Sequence, residues 1–423
     1  MESFRKPQTP RKRRIAKRRI RSFKWFWRAL RSVAAPYLRK KFRVHAENSE
    51  LVQRMRPPYL ILPNHSSVID PFFVGSHVPD VIHYVVSDAN FRSPLVNFGL
   101  ALVGSIPKTK AMTDMDSIKN IMKVTRQGEV VGIFPEGQST WDGHSLPLFY
   151  STAKLIKVLR VPVIVARISG AFLSKPRWAR YARRGRVNVR FDVAFTSEQL
   201  KNATVPEVDA KINKMLEHDD YEYNRVVGQK FYGKRRAEYA EIALFICPSC
   251  KSISTLRSHR NLLSCGECRY AVRFGLNGFL QQKKGALKFD NLHDWNVWQR
   301  EEFARRVEDF LLGAGETPLI VEHEVEISTG YKSQPLQTLM KARLELHQQT
   351  IEALGEHGQR LRLPIAEIRG INVQNKERLE LYIGDDLYRI VPTNPRGCTY
   401  KWDLAVRLAH ALQEREQSDL QEA

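Results

Sequence analysis

Between residues 45 and about 200, short apolar runs alternate with segments of helical periodicity. The runs at 60–62, 82–86, 130–134, 161–167 and 188–193 read as buried strands. The intervening segments at 67–76, 93–103, 114–127 and 150–160 read as helices. The third carries Ile118, Ile121 and Met122 on one stripe, with Thr113 and Asp114 before it and Gly128 beyond its end. This alternation predicts a mixed α/β domain with its ligand loops at strand ends.

Two of the runs lead directly into chemistry-bearing residues. The first is followed by Pro63-Asn64-His65-Ser66-Ser67-Val68-Ile69-Asp70. Positions i and i+5 lie about 140° apart on a helix, so His65 and Asp70 cannot share a helical face. They converge if His65 is on the loop and Asp70 is in the first turn of the next helix. Ser67 and Asp70 have the S-x-x-D spacing of a capping box, which supports that start. An imidazole oriented by a carboxylate can take a proton from a hydroxyl. Taken alone, the pair also reads as a helix cap beside an ordinary loop histidine. The second run leads into Pro135-Glu136-Gly137-Gln138-Ser139-Thr140. His65 and Glu136 both follow strands, which allows them to share one rim.

Together, N-H-x4-D and F-P-E-G, about seventy residues apart, resemble the glycerolipid acyltransferase family, whose best-known members are lysophosphatidate acyltransferases. Two further segments fit the family's order. Gly104-Ser105-Ile106-Pro107-Lys108-Thr109-Lys110 occupies the second motif, with Lys110 where an Arg is usual. Val161-Pro162-Val163-Ile164 matches the fourth. In the third motif Gln138 and Ser139 replace the usual Thr-Arg, and Thr140 stands where Ser is usual. The resemblance covers roughly residues 45 to 200. It implies transfer of a fatty acyl group from a thioester, acyl-CoA or acyl carrier protein, to a lipid hydroxyl. His65 would be the general base and Asp70 would fix its tautomer. Asn64, Glu136, Gly137 and Thr140 would help bind the acceptor, Glu136 and Gly137 at its glycerol end. Lys108 and Lys110 would meet a phosphate. The implied acceptor is a lysophospholipid, 1-acylglycerol-3-phosphate first among them. The missing arginines leave other lipid acceptors open.

The 423 residues suffice for two or three domains, and the formal net charge is +23. Residues 1 to 45 hold seventeen Lys or Arg against one Glu, a surplus of sixteen. The part through Arg21 reads as a disordered basic tail. Phe23, Phe26, Trp27, Leu30 and Val33 then recur at helical steps among Lys24, Arg28 and Arg31. Three readings fit: a helix lying in an anionic membrane interface, a helix packed on its own domain, or a nucleic-acid arm. Beside the lipid-modifying motifs the membrane surface is preferred, and nucleic acid is not the expected partner. No apolar run reaches eighteen residues and no signal-peptide core follows the basic start. The expected location is cytoplasmic, peripheral on the cytoplasmic face of a membrane.

Five cysteines are few, which suggests a reducing compartment. Cys247, Cys250, Cys265 and Cys268 form two C-x2-C turns fourteen residues apart. Two such turns can close a tetrahedral, structural Zn²⁺ site. A redox dithiol, an iron centre and four unrelated thiols are the competing readings. Cys398 reads as an ordinary thiol. Farther on, 342–346 and 379–383 alternate apolar and polar residues. Gly384-Asp385-Asp386 marks a hairpin, and Trp402, Ala405, Leu408, Ala409 and Leu412 form a closing helical stripe. Strands followed by one helix loosely resemble a pleckstrin-homology-like barrel.

The expected architecture is an α/β acyltransferase domain, then a small zinc ribbon, then a C-terminal β-rich domain closed by a helix. Its segments are a basic tail and interfacial helix (1–44), the acyltransferase domain (45–204) and a helical connector (205–240). After them come the ribbon (241–278), a helical linker (279–316), the β domain with its helix (317–414) and a tail (415–423). The rival from another class is a zinc-ribbon nucleic-acid-binding protein with a basic arm. It accounts for charge and cysteines but leaves the four ordered motifs without a role.

Overall fold

The computed structural model describes residues 20, 22–109, 114–313, 317–356 and 358–422, with side chains through 412. The basic tail before residue 20 lies outside them. The chain forms two compact units, one of Arg19–Lys108 with Asp114–Asn296, the other built on Val297–Ala423.

The first unit is organised on a seven-stranded mixed sheet. Its strands are β1 (His45–Glu47), β2 (Leu60–Pro63), β3 (Ile82–Ser87), β4 (Ile106–Lys108), β5 (Val130–Gly132), β6 (Val163–Ser169) and β7 (Asn188–Phe195), in the order β1-β7-β6-β2-β5-β3-β4. β2 is central and runs parallel to both β5 and β6. β7 is antiparallel to β6. The period of two along each strand divides the core between two faces. Ile61 and Ile164 enter the layer that holds Trp27, Phe42, Phe73 and Phe191. Leu60, Leu62, Val163 and Val165 enter the other, with Ile121, Ile156 and Ile212. Strands buried on both faces account for their continuous apolar runs.

The helices of this unit are α1 (Lys24–Phe42), α2 (Ser49–Arg54), α3 (Asp70–Gly75), α4 (Pro94–Leu102), α5 (Met115–Arg126), α6 (Tyr150–Leu159), α7 (Ala171–Ser174), α8 (Ser197–Asn202), α9 (Val205–Leu216) and α10 (Asp220–Val227). α5 starts where its sequence signal lies, with the Asp114 carboxylate accepting from Ser117 N. α1 divides its apolar residues. Trp27, Leu38 and Phe42 are buried against the domain, while Trp25, Val33 and Tyr37 face outward. Trp27 fits because α3 ends on glycine: a Cβ at Gly75 would lie 2.8 Å from the indole. Of the three readings of this stripe, packing on its own domain holds for Trp27.

Cys265 ends β9 of a small antiparallel sheet of β8 (Leu256–His259), β9 (Leu262–Cys265), β10 (Ala271–Phe274) and β11 (Leu280–Lys284), ordered β11-β10-β9-β8, and the other three cysteines of the two turns lie outside its strands. This sheet reaches Lys284, past the expected boundary at 278. It belongs to the same compact unit as the α/β sheet. The first turn of α11 (Leu292–Leu312) serves that joining: Trp295 Nε1 donates to Ile246 O at 3.0 Å, and His293 reaches Asp142.

The second unit holds seven antiparallel strands, β12 (Ile320–Gly330), β13 (Gln337–Leu346), β14 (Thr350–Gly355), β15 (Arg360–Pro364), β16 (Ile368–Gln374), β17 (Arg378–Ile383) and β18 (Asp386–Pro392). Their order is β15-β14-β13-β12-β18-β17-β16. Gly384-Asp385 forms a two-residue turn between β17 and β18, Ile383 pairing with Asp386. α12 (Thr399–Glu422) packs on β16 and β17, with Trp402, Ala405, Val406 and Ala409 buried.

Candidate active site

His65 lies on the loop after β2, and Asp70 is the first residue of α3. Their side chains meet, His65 Nδ1 standing 2.9 Å from Asp70 Oδ2. The same oxygen accepts from Ser66 N at 2.7 Å and Ser67 N at 2.8 Å. The carboxylate thus reaches back over the loop, as the acid of a capping box does. The Ser67 hydroxyl is not the cap expected of it: the residue before the helix is Ile69, which makes no side-chain cap. Asp70 is fully buried, and among the described residues its Oδ1 has no hydrogen-bond partner. Burial therefore raises its pKa, opposed by His65 and the two amides. With Nδ1 directed at Asp70, Nε2 carries the free lone pair in the neutral ring. The imidazole is about one-fifth exposed and lies on Phe134, ring centroids 4.4 Å apart. The reading of β5 as 130–134 overran because Phe134 leaves the sheet to make this contact.

Three neighbours hold the loop by its backbone. Asn64 spans from β2 to the end of β6, accepting from Ile168 N at 2.7 Å and donating to Ile168 O at 3.0 Å. Glu136 Oε1 accepts from His65 N at 2.6 Å, and its Oε2 accepts from Leu146 N at 2.9 Å. Thr140 N donates to His65 O at 3.0 Å. Glu136 is buried, and burial pushes its carboxyl up to about 8 despite both amide donors. The Thr140 hydroxyl donates to Asp142 Oδ1 at 2.8 Å, closing the next turn.

Gly137 adopts φ +72°, and a Cβ there would lie 2.4 Å from Phe149 Cε2. Lys108 reaches the same ring, its Nζ 5.5 Å from the Phe149 centroid. Burial lowers the Lys108 pKa, opposed by Asp114. Lys110 lies outside the described residues. The sequence reading missed Arg177. Its guanidinium donates to Ser139 O at 2.9 Å and Gln138 Oε1 at 3.3 Å, and lies 4.1 Å from the Trp141 ring. No spacing signal links it to a segment nearly forty residues earlier.

The geometry thus joins the first and third motifs at hydrogen-bonding distance. Residues 43–169 match the family model described as Acyltransferase. The chain thus carries an Acyltransferase domain over these residues. It is similar to the 1-acyl-sn-glycerol-3-phosphate acyltransferase of Bacillus subtilis (strain 168), 26% identical over 113 residues, 26% of this chain and 56% of that protein. It is also similar to the 1-acyl-sn-glycerol-3-phosphate acyltransferase of Saccharomyces cerevisiae, 24% identical over 169 residues, 38% of this chain and 55% of that protein. The chain spans about half the length of these curated relatives. Among solved structures, the 1-acyl-sn-glycerophosphate (LPA) acyltransferase PlsC from Thermotoga maritima aligns with a TM-score of 0.41 at 16% identity, over 48% of this chain and 79% of that one.

The cysteines lie apart from the dyad in sequence and form a group of their own. Cys247 Sγ is 3.6 Å from Cys268 Sγ, and Cys250 Sγ is 3.7 Å from Cys265 Sγ. All four sulfurs lie within 4.8 Å of one another. Ligands about 2.3 Å from a tetrahedral Zn²⁺ stand about 3.8 Å apart, so the four thiols fit that ion. Disulfides, at about 2.05 Å, do not describe them. Cys398 is buried in the second unit.

Proposed function

We propose that this acyltransferase moves a fatty acyl group from acyl-CoA or acyl carrier protein to the hydroxyl of a lysophospholipid, with 1-acylglycerol-3-phosphate as the best-fitting acceptor. The observation that carries the reading is the His65–Asp70 pair, buried on its acid side and open at the imidazole. His65 Nε2 takes the proton of the acceptor hydroxyl as its oxygen attacks the thioester carbonyl. Asp70 stabilises the imidazolium that forms. Collapse of the tetrahedral intermediate breaks the carbon–sulfur bond, and the imidazolium returns its proton to the leaving thiolate. The ester and a free thiol result, and no enzyme nucleophile is used. General-base catalysis of this kind contributes roughly 10²–10⁴-fold. Glu136 acts through the backbone by fixing the His65 amide. Lys108, whose Nζ lies 5.5 Å from the centroid of the Phe149 ring that stands next to Gly137, would meet an acceptor phosphate.

The acceptor and acyl chains are lipidic, and the reading places the protein on an anionic membrane surface. Among the described residues no helix is long and apolar enough to cross a membrane. Support for peripheral contact comes from α4, a helix without a buried residue whose Leu95 and Phe98 are 82% and 65% exposed. Its last residue meets the residue before α1, Phe23 N donating to Leu102 O, and Trp25 on α1 is exposed as well. Exposed Trp25, Leu95 and Phe98, in a chain whose first 45 residues are strongly basic in sequence, suit an interfacial layer. The four cysteines would hold one structural Zn²⁺, leaving no open coordination position.

Radiolabelled acyl-CoA offered with a panel of lysolipids tests the reaction, with transfer to 1-acylglycerol-3-phosphate expected. Transfer to a different lysolipid changes the acceptor. Absence of transfer from both acyl-CoA and acyl carrier protein to every acceptor overturns the reading.

A further inference from the structure

We propose that His144, Asp219 and His293 form a second metal site, for a zinc-class divalent cation, distinct from the four cysteines. One ligand atom from each residue lies within 4.8 Å of the others. The three residues come from separate segments: the loop after the third motif, the start of α10 and the first turn of α11. No sequence spacing connects them, so only the fold reveals the group.

The individual contacts favour coordination over a plain ion-pair network. His144 Nδ1 and Asp219 Oδ2 are 3.4 Å apart. That is long for a charge-assisted hydrogen bond, which is about 2.7–2.9 Å. Two ligands each about 2.1 Å from a tetrahedral zinc stand about 3.4 Å apart. The other Asp219 oxygen already caps α10, accepting from Tyr221 N at 2.6 Å and Glu222 N at 3.0 Å, which leaves Oδ2 for the site. His293 Nδ1 faces Asp142 Oδ2 at 3.1 Å, and Asn296 Nδ2 donates to that same oxygen at 2.7 Å. A carboxylate on one ring nitrogen orients the other toward a metal and raises its basicity. The two imidazoles lie side by side, centroids 4.6 Å apart and 22° from parallel.

His144 and Asp219 line a cavity of about 620 Å³. A fourth position would open into it and hold water. Its basic residues Arg167, Arg190 and Lys214 are opposed by Glu47, Glu217 and Glu222. Two imidazoles and one carboxylate suit zinc over magnesium or calcium, which favour all-oxygen sites. The ion would also stiffen the active-site brace. Asp142 accepts from Thr140, whose amide holds His65 O, and Leu146 N in the same loop holds Glu136.

Cobalt titration of the chelator-stripped full chain tests this. Thiolate ligands give an intense charge-transfer band, while nitrogen and oxygen ligands give only weak visible absorption. The expected result is one equivalent with the thiolate band and a second with weak absorption alone. His293→Gln should abolish the second and retain the first. His144→Gln should weaken the second at least tenfold; its half-exposed side chain makes it the check should His293→Gln misfold. A single ion without the thiolate band, lost in His293→Gln, upholds this site and removes the metal from the cysteines alone. Uptake of one ion carrying the thiolate band and no other overturns the proposal. So does a second ion held equally by both variants.

Discussion

Replacing Glu136 by glutamine perturbs the brace under His65 and separates two opposing energies. Each Glu136 oxygen accepts one backbone amide, from His65 and from Leu146. Glutamine retains one acceptor and turns an NH₂ toward the other amide. A buried donor left without its acceptor costs about 1–3 kcal/mol. Against that, burial raises the Glu136 carboxyl from 4.5 to about 8. Between those values the folded chain holds a proton that the unfolded chain has released. Wild-type stability therefore falls as pH rises through this window, by up to ~1.4 kcal/mol per pH unit. Glutamine does not titrate. The wild type should lead the variant near pH 5, and the lead should shrink or reverse by pH 8. Paired urea unfolding at pH 5, 6.5 and 8 measures the gap at each pH. A gap that widens with pH would mean that the two amides hold the carboxylate ionised, and the reasoning from burial fails.

His65→Ala should lower acyl transfer by roughly 10²–10⁴-fold while leaving the thermal midpoint nearly unchanged, because the ring is partly exposed and its loop is held by backbone bonds. Asp70→Asn should lower transfer comparably and also destabilise, since Oδ2 gathers three contacts; equal stability of the two variants in thermal melts counts against the cap. Gly137→Ala should cost about 1–2 kcal/mol from the left-handed backbone alone, the half-exposed Phe149 being able to swing aside. Restoration of the wild-type midpoint by a further Phe149→Ala change would show that the ring, and not φ, sets the cost. Cys250→Ser tests the zinc proposed for the four cysteines: one fewer ion per chain is expected by elemental analysis, and unchanged content refutes the four-cysteine site.

The strands around His65 were legible because burial on both faces writes a continuous apolar run, as in β2 and β6. The dyad was legible because five residues from a strand end to a helix start leave the two side chains few other arrangements. β1 and β4, three residues each, carry too little pattern to stand out. The stripe on α1 was visible, but periodicity cannot say whether protein or another surface covers it; Trp27 is buried because Gly75 makes room. Arg177, and the meeting of His144 with His293, depend on chain crossings that leave no local spacing. The cysteine turns were plain, yet the extension of their sheet to Lys284 was not, since Leu280–Lys284 is polar on all but one position.

The departures of the third motif from its usual wording also have a physical explanation. Thr140 reaches His65 through a backbone amide, and the Leu146 amide fastens Glu136 from ten residues on. Backbone contacts survive changes of side chain, so Gln138, Ser139 and Thr140 can differ without releasing the loop. Glu136 differs in kind, because its own two oxygens join the strands' loops. Gly137 differs as well, because its φ of +72° is a left-handed conformation that side-chain-bearing residues rarely adopt. Where the usual pattern places an arginine, Ser139 offers a carbonyl, and Arg177 donates to it from another segment. That guanidinium also lies 4.1 Å from the Trp141 ring centroid. The loop's shape therefore rests on the Glu136 carboxylate, the Gly137 backbone and a set of backbone bonds, and Glu136 and Gly137 are among the parts of the motif that this chain retains.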